Sequence, residues 1–138
     1  MSKKLNRILS LVTFFPLVFT ACSVSNSNET IAVIEQYFSY WNDENVDGIM
    51  SMLTDEPEIE IDLGVVLTNR DKIRTTFEKL FQRVDFQITV SDFEVDGNTV
   101  TYNYQIFVGD ELNEQGRSQA VIENGKIKSE KYIGPYTP

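Results

Sequence analysis

Ile31-Ala32-Val33-Ile34-Glu35-Gln36-Tyr37-Phe38-Ser39-Tyr40-Trp41 runs into Asn42-Asp43-Glu44-Asn45 and then into Val46-Asp47-Gly48-Ile49-Met50-Ser51-Met52-Leu53. Ile31, Ile34, Phe38 and Trp41 recur at helical spacing and predict a buried stripe, with Val33, Tyr37 and Tyr40 on its flank. Asn28 or Ser27 is the expected N-cap, and Glu29 suits the first turn. The polar run 42–45 breaks this helix. Asn45 caps a second, shorter one whose apolar positions are Val46, Ile49, Met50 and Leu53. Gly48 lies inside that helix, where it allows close packing on a neighbour.

Downstream, Pro57 is expected to end the helical region. Residues 58–63 alternate Glu58, Ile59, Glu60, Ile61, Asp62, Leu63 and predict a half-buried strand. Asn69 caps a third helix over 70–83, with Ile73, Phe77, Leu80 and Phe81 inward. The remainder reads as strands over 86–95, 99–108, 115–123 and 126–133, the first bulged near Ser91-Asp92. Asp96-Gly97-Asn98 and Asn124-Gly125 are hairpin turns. Three helices, one interposed strand and an antiparallel meander imply an α+β cone: a curved antiparallel sheet packed against three N-terminal helices.

Upstream, Met1 to Arg7 is basic, and 8–20 is apolar but too short to span a bilayer comfortably. Val18-Phe19-Thr20-Ala21-Cys22-Ser23 resembles a bacterial lipobox. That resemblance implies a signal peptide over 1–21, acylation of Cys22 with fatty chains such as palmitate, and a flexible tether over 22–28. The folded domain then spans 29–138. Two acyl chains suffice for stable anchoring where one does not. The expected partner is therefore a membrane, and the location a lipid-anchored one in the bacterial cell envelope. Ser23 after the cysteine favours the outer membrane, facing the periplasm, in a double-membraned cell. In a single-membraned cell it is the outer face of the plasma membrane.

Without Lys3, Lys4 and Arg7, nine bases stand against 21 acids, a net of −12. Such a surface repels phosphate backbones and argues against nucleic acid as a partner. The chain has no histidine and one cysteine. It therefore lacks the usual zinc ligand, the usual base near neutral pH and any intrachain disulfide. No metal site and no cofactor is expected.

Four stretches resemble the SnoaL-like branch of the nuclear transport factor two-like superfamily: 37–53, Asn69-Arg70-Asp71-Lys72-Ile73-Arg74, Val95-Asp96-Gly97-Asn98-Thr99-Val100, and Val121-Ile122-Glu123-Asn124-Gly125-Lys126-Ile127. The resemblance implies a fold and leaves function open, since the superfamily holds polyketide cyclases, ketosteroid isomerase, dehydratases and inert binders. Aligned with the isomerases, Tyr37 takes the place of their oxyanion-donating tyrosine. Their aspartate base falls on Ile61, with Asp62 one residue late and so on the other face. Their late aspartate falls near Ser118.

Tyr37, Trp41, Tyr102 and Tyr104 are the expected ligand-binding rings, with Ser118 and Gln119 as polar contacts. Filling the core of a small cone is the alternative use of the same rings. Tyr37 with Asp62 is the candidate catalytic pair, and whether the protein is an enzyme stays open. Glu58, Glu60 and Asp62 read as a solvated strand face, a pocket base or a weak cation site. Glu130 and Tyr132 are further candidates at the mouth of the cone. The resulting expectation is a membrane-tethered, non-catalytic SnoaL-like domain that binds a small apolar molecule or a protein partner. An isomerase, cyclase or dehydratase is one alternative. A homodimer through the convex face at Thr99, Thr101, Asn103, Gln105 and Phe107 is another.

Overall fold

The computed structural model describes residues 26–138. The signal peptide and Cys22 expected from the sequence lie outside the described residues. Helices α1 (Ser27–Asn42), α2 (Val46–Ser51) and α3 (Arg70–Phe81) accompany six strands. These are β1 (Leu53–Asp62), β2 (Val65–Leu67), β3 (Phe86–Asp96), β4 (Thr99–Val108), β5 (Glu111–Glu123) and β6 (Lys126–Gly134). The sheet order is β2-β1-β6-β5-β4-β3. The last four strands form the antiparallel meander that their turns imply. β1 and β6 come from far apart in the chain and pair in parallel; no hairpin turn dictates their direction.

Each helix opens on an asparagine. Asn45 Oδ1 accepts the Gly48 N–H at 2.9 Å, and Asn69 Oδ1 accepts that of Lys72 at 3.0 Å. The cap of α1 is Asn26, one or two residues ahead of the position expected from sequence. Its side chain accepts from Asn28 N. Such caps satisfy donors that the helix itself cannot and contribute about 1 kcal/mol each. Gly48 answers to a space requirement. A Cβ there would fall 2.4 Å from the Tyr40 ring, so α1 and α2 approach only because that carbon is missing. Arg70 joins α2, β1 and α3 by donating to the carbonyls of Met50, Leu53 and Thr54 at 2.9, 3.2 and 2.6 Å.

Pro57 does not close the helical region. It is buried inside β1, which starts at Leu53. Pairing with β6 slips between Leu53 and Glu58, and an irregular ladder is where a central strand tolerates a residue without an N–H. The short strand β2 and the early start of β5 at Glu111 also lie outside the sequence reading.

The core sits between the helices and the concave face. Ile34, Tyr37, Ile49, Leu53, Ile59, Ile73, Phe77, Val100, Tyr102 and Ile127 are almost wholly buried. Such burial stabilises by roughly 1.5–3 kcal/mol per large side chain. Trp41, half-buried on α1, is wedged edge-on against Phe77 at 4.7 Å and Phe81 at 5.9 Å. Asn42 exchanges two hydrogen bonds with the Ile88 backbone, fixing the end of α1 on β3.

Candidate functional site

Two irregularities in the sheet decide what faces the cone. On β6, Ile127 stands opposite Ile122 while Ser129 stands opposite Val121. One extra residue, Lys128, therefore reverses the alternation. As a result Glu130 pairs with Ala120 and Tyr132 with Ser118, and they share the concave face with the buried side chains of β5. On β1, the register with β2 shifts between Glu60 and Asp62. Glu60, Ile61, Asp62 and Leu63 thereby all come to border the same opening.

The opening is a pocket of about 120 Å³. Its walls are Phe38, Trp41, Ile59, Ile61, Ile88 and Ile106. Polar atoms come from Tyr104, Ser118, Glu130 and, towards the mouth, Glu60, Glu114 and Tyr132. The Tyr102 hydroxyl donates to Glu130 Oε1 at 2.5 Å. Burial pushes the Glu130 carboxyl above the usual carboxylate range. The hydrogen bond from Tyr102 and the nearby Tyr37 hydroxyl oppose that rise, and the negative charge of Glu60 adds to it. Burial, then the Glu130 charge, likewise raises the Tyr37 and Tyr102 hydroxyls far above their ordinary value. Burial and the hydrogen bond to Glu114 raise Tyr104.

Two donors in this group lack a well-formed bond. The Tyr37 hydroxyl and Trp41 Nε1 are buried with no partner in hydrogen-bonding geometry, although Tyr37 is near enough to Glu130 and Trp41 for both to influence its proton. Unpaired buried donors are costly, and each calls for an explanation. Here both belong to the polar group that surrounds Glu130.

Of the residues singled out from sequence, Trp41, Tyr104 and Ser118 line the pocket, and Tyr37 and Tyr102 stand around Glu130. Gln119 is not among the lining residues; it pairs with Thr101 and Lys131 and, next to inward Ser118, belongs to the opposite face. Asp62 is exposed at the mouth, its carboxylate taken by Leu63 N at 2.8 Å. The carboxyl that meets Tyr37 is Glu130, on the last strand. Glu60, one of the acids weighed as a pocket base, lines the opening, and Ile88, Ile106 and Glu114 join the lining without having been marked by the sequence pattern.

Known proteins give a consistent account of this architecture. The profile described as a SnoaL-like domain matches residues 34–130. No curated protein sequence matches the chain. Among solved structures, an LEH-like epoxide hydrolase from M. tuberculosis is 17% identical, with a TM-score of 0.65 over 76% of this chain and 81% of that one. A candidate ketosteroid isomerase from Kribbella flavida is 20% identical, with a TM-score of 0.64 over 80% and 82%. A candidate polyketide cyclase from Sinorhizobium meliloti is 13% identical, with a TM-score of 0.66 over 78% and 99%. At these identities the likeness is one of fold.

Proposed function

The chain belongs to the SnoaL-like domain family, and from that premise we propose that it is a small-molecule-binding domain held at the bacterial cell envelope by a lipid on Cys22. The ligand is small and largely apolar, with one hydrogen-bond acceptor. The observation that carries this reading is the pocket of about 120 Å³ with apolar walls, beside which Tyr37 Oη and Trp41 Nε1 are buried without well-formed partners. Apolar walls with a few convergent polar groups are how such sites hold and orient a ligand. Glu130, whose carboxyl gains proton affinity from burial, lines the same pocket.

Trp41 is the chain's one tryptophan and borders the pocket, so its emission reports occupancy directly. A saturable shift on titration with small ketones, esters or phenols, together with a raised melting temperature, supports the reading. Absence of both across the panel refutes it. The address is tested separately: the wild type takes up labelled palmitate in a bacterial host and Cys22→Ala does not.

Glu130 favours a second, catalytic reading. A buried carboxyl with raised proton affinity, set among tyrosine hydroxyls, can pass a proton to or from a ligand carbonyl while donors hold the developing oxyanion. This is the isomerase, cyclase or dehydratase alternative, with Glu130 in the role that the sequence offered to Asp62. Its test is deuterium exchange next to the carbonyl of a bound ketone. Exchange that Glu130→Gln abolishes selects catalysis; binding without exchange selects the non-catalytic domain.

A further inference from the structure

Gly116 sits in the middle of β5, opposite Tyr104. Its φ is not in the left-handed region, so its backbone conformation places no demand for glycine. The demand comes from space. A Cβ there would lie 2.7 Å from Tyr132 Cε2 and 2.8 Å from the Tyr104 hydroxyl. Two tyrosines thus fold onto the bare backbone of one residue, and both border the pocket.

Tyr104 is held through its hydroxyl, which donates to Glu114 Oε1 at 2.8 Å. Tyr132, whose ring is partly exposed, is held through its backbone: its N–H donates to Glu60 Oε2 at 3.0 Å, while Glu60 Oε1 accepts from Gly64 at 2.6 Å. The same carboxylate therefore ties the β1–β2 hairpin, which carries Leu63 at the mouth, to β6. The cone is narrowed by built-in side chains from β4 and β6 and closed at the flank by a pinned hairpin. What remains, about 120 Å³, is close to the roughly 150 Å³ of an apolar cavity that accepts benzene.

We propose that this pocket takes a single-ring ligand carrying one oxygen acceptor, and that Tyr104 and Tyr132, seated on Gly116, set the size limit. The proposal rests on the binding reading above and restricts its ligand class. A cyclic ketone suits this lining: the ring would meet Phe38, Ile59, Ile88 and Ile106, and the oxygen the polar groups of Tyr104, Ser118 and Glu130. A second fused ring competes for the volume that the Tyr132 ring occupies.

The test grades ligands by size against the full-length protein, read by Trp41 emission. Cyclohexanone, decalone and a four-ring steroid ketone serve as probes. Cyclohexanone is expected to bind saturably, decalone at least tenfold more weakly, and the steroid ketone without measurable effect. Tyr132→Ala is expected to improve decalone binding at least tenfold, and Tyr132→Leu, which keeps an apolar cover, to give an intermediate gain. Decalone or the steroid binding the wild type as tightly as cyclohexanone overturns the size limit and leaves the binding reading intact. Unchanged size preference in both Tyr132 variants overturns the assignment to that residue. No response to any of the three overturns the size proposal together with the reading beneath it.

Discussion

Tyr102 and Asn103 are neighbours on β4, both fully buried, and they serve opposite faces of one sheet. On the convex side the Asn103 amide donates to Asp92 Oδ2 and to the Thr137 carbonyl, and its oxygen accepts from Arg117 and from Thr137 N. Arg117 in turn meets Glu94 at 2.9 Å. Every arm of the amide is occupied. On the concave side Tyr102 has Glu130, but the neighbouring Tyr37 and Trp41 donors have no well-formed bond. A saturated polar cluster acts as a strut; an unsaturated one of similar burial holds capacity for a ligand. The convex cluster also covers ground that a dimer interface was expected to use, since Asn103 lies beneath the C-terminal segment.

The contrast is most directly broken by Asn103→Leu. Stripping the amide leaves the Thr137 backbone without its partner and takes one bond each from Asp92, which keeps Ser91, and Arg117, which keeps Glu94. The expected loss in urea denaturation is about 3 kcal/mol, with ligand binding at Trp41 unchanged. A loss below about 1 kcal/mol would erase the distinction between strut and site. Tyr102→Phe comes next, with an expected cost of about 1.5 kcal/mol because Glu130 loses its donor.

The concave side also carries an effect of pH. Glu130 holds its proton more tightly in the folded than in the unfolded chain. The folded state thus carries more protons between the two values, and stability falls as pH climbs from the ordinary carboxyl range through the raised one. The groups that bear on this carboxyl are Glu60 on β1, Tyr37 on α1, and Tyr102 and Tyr104 on β4. Glu130→Gln should flatten that part of the stability curve, and an unaltered curve would sink the claim. The smallest effect belongs to Tyr37→Phe, within about 0.5 kcal/mol of the wild type, since the hydroxyl removed makes no well-formed bond. Its influence should show in ligand affinity instead.

Much of the architecture was legible because its signals are local. Asparagine caps, the aromatic periodicity of α1 and the two Asp/Asn-Gly hairpins each announce an element within a few residues. Pro57 misled for a physical reason: proline argues against a central strand unless the ladder slips beside it, and the slip between β1 and β6 joins segments distant in sequence. β2 is too short to show periodicity. The ring set around the pocket could be read from the even positions of β4 and the face of α1. Glu130 was harder to place, since simple alternation from Ile127 sends it outward. Lys128 reverses that alternation, and an extra residue on one strand becomes visible only against the partner strand. Asp62 misled for the mirror-image reason, its neighbourhood being reshaped by the irregular β1–β2 register.

The parallel seam between β1 and β6 has a consequence for how the chain acquires its shape. β1 is among the first strands to be synthesised, yet one of its two edges has to wait for the final strand. Until then Leu53 and Ile59 face no completed sheet, and the nascent domain presents an open backbone edge of the kind that invites misassociation. Holding the polypeptide loose until all of it has emerged would suit such a topology better than compaction segment by segment.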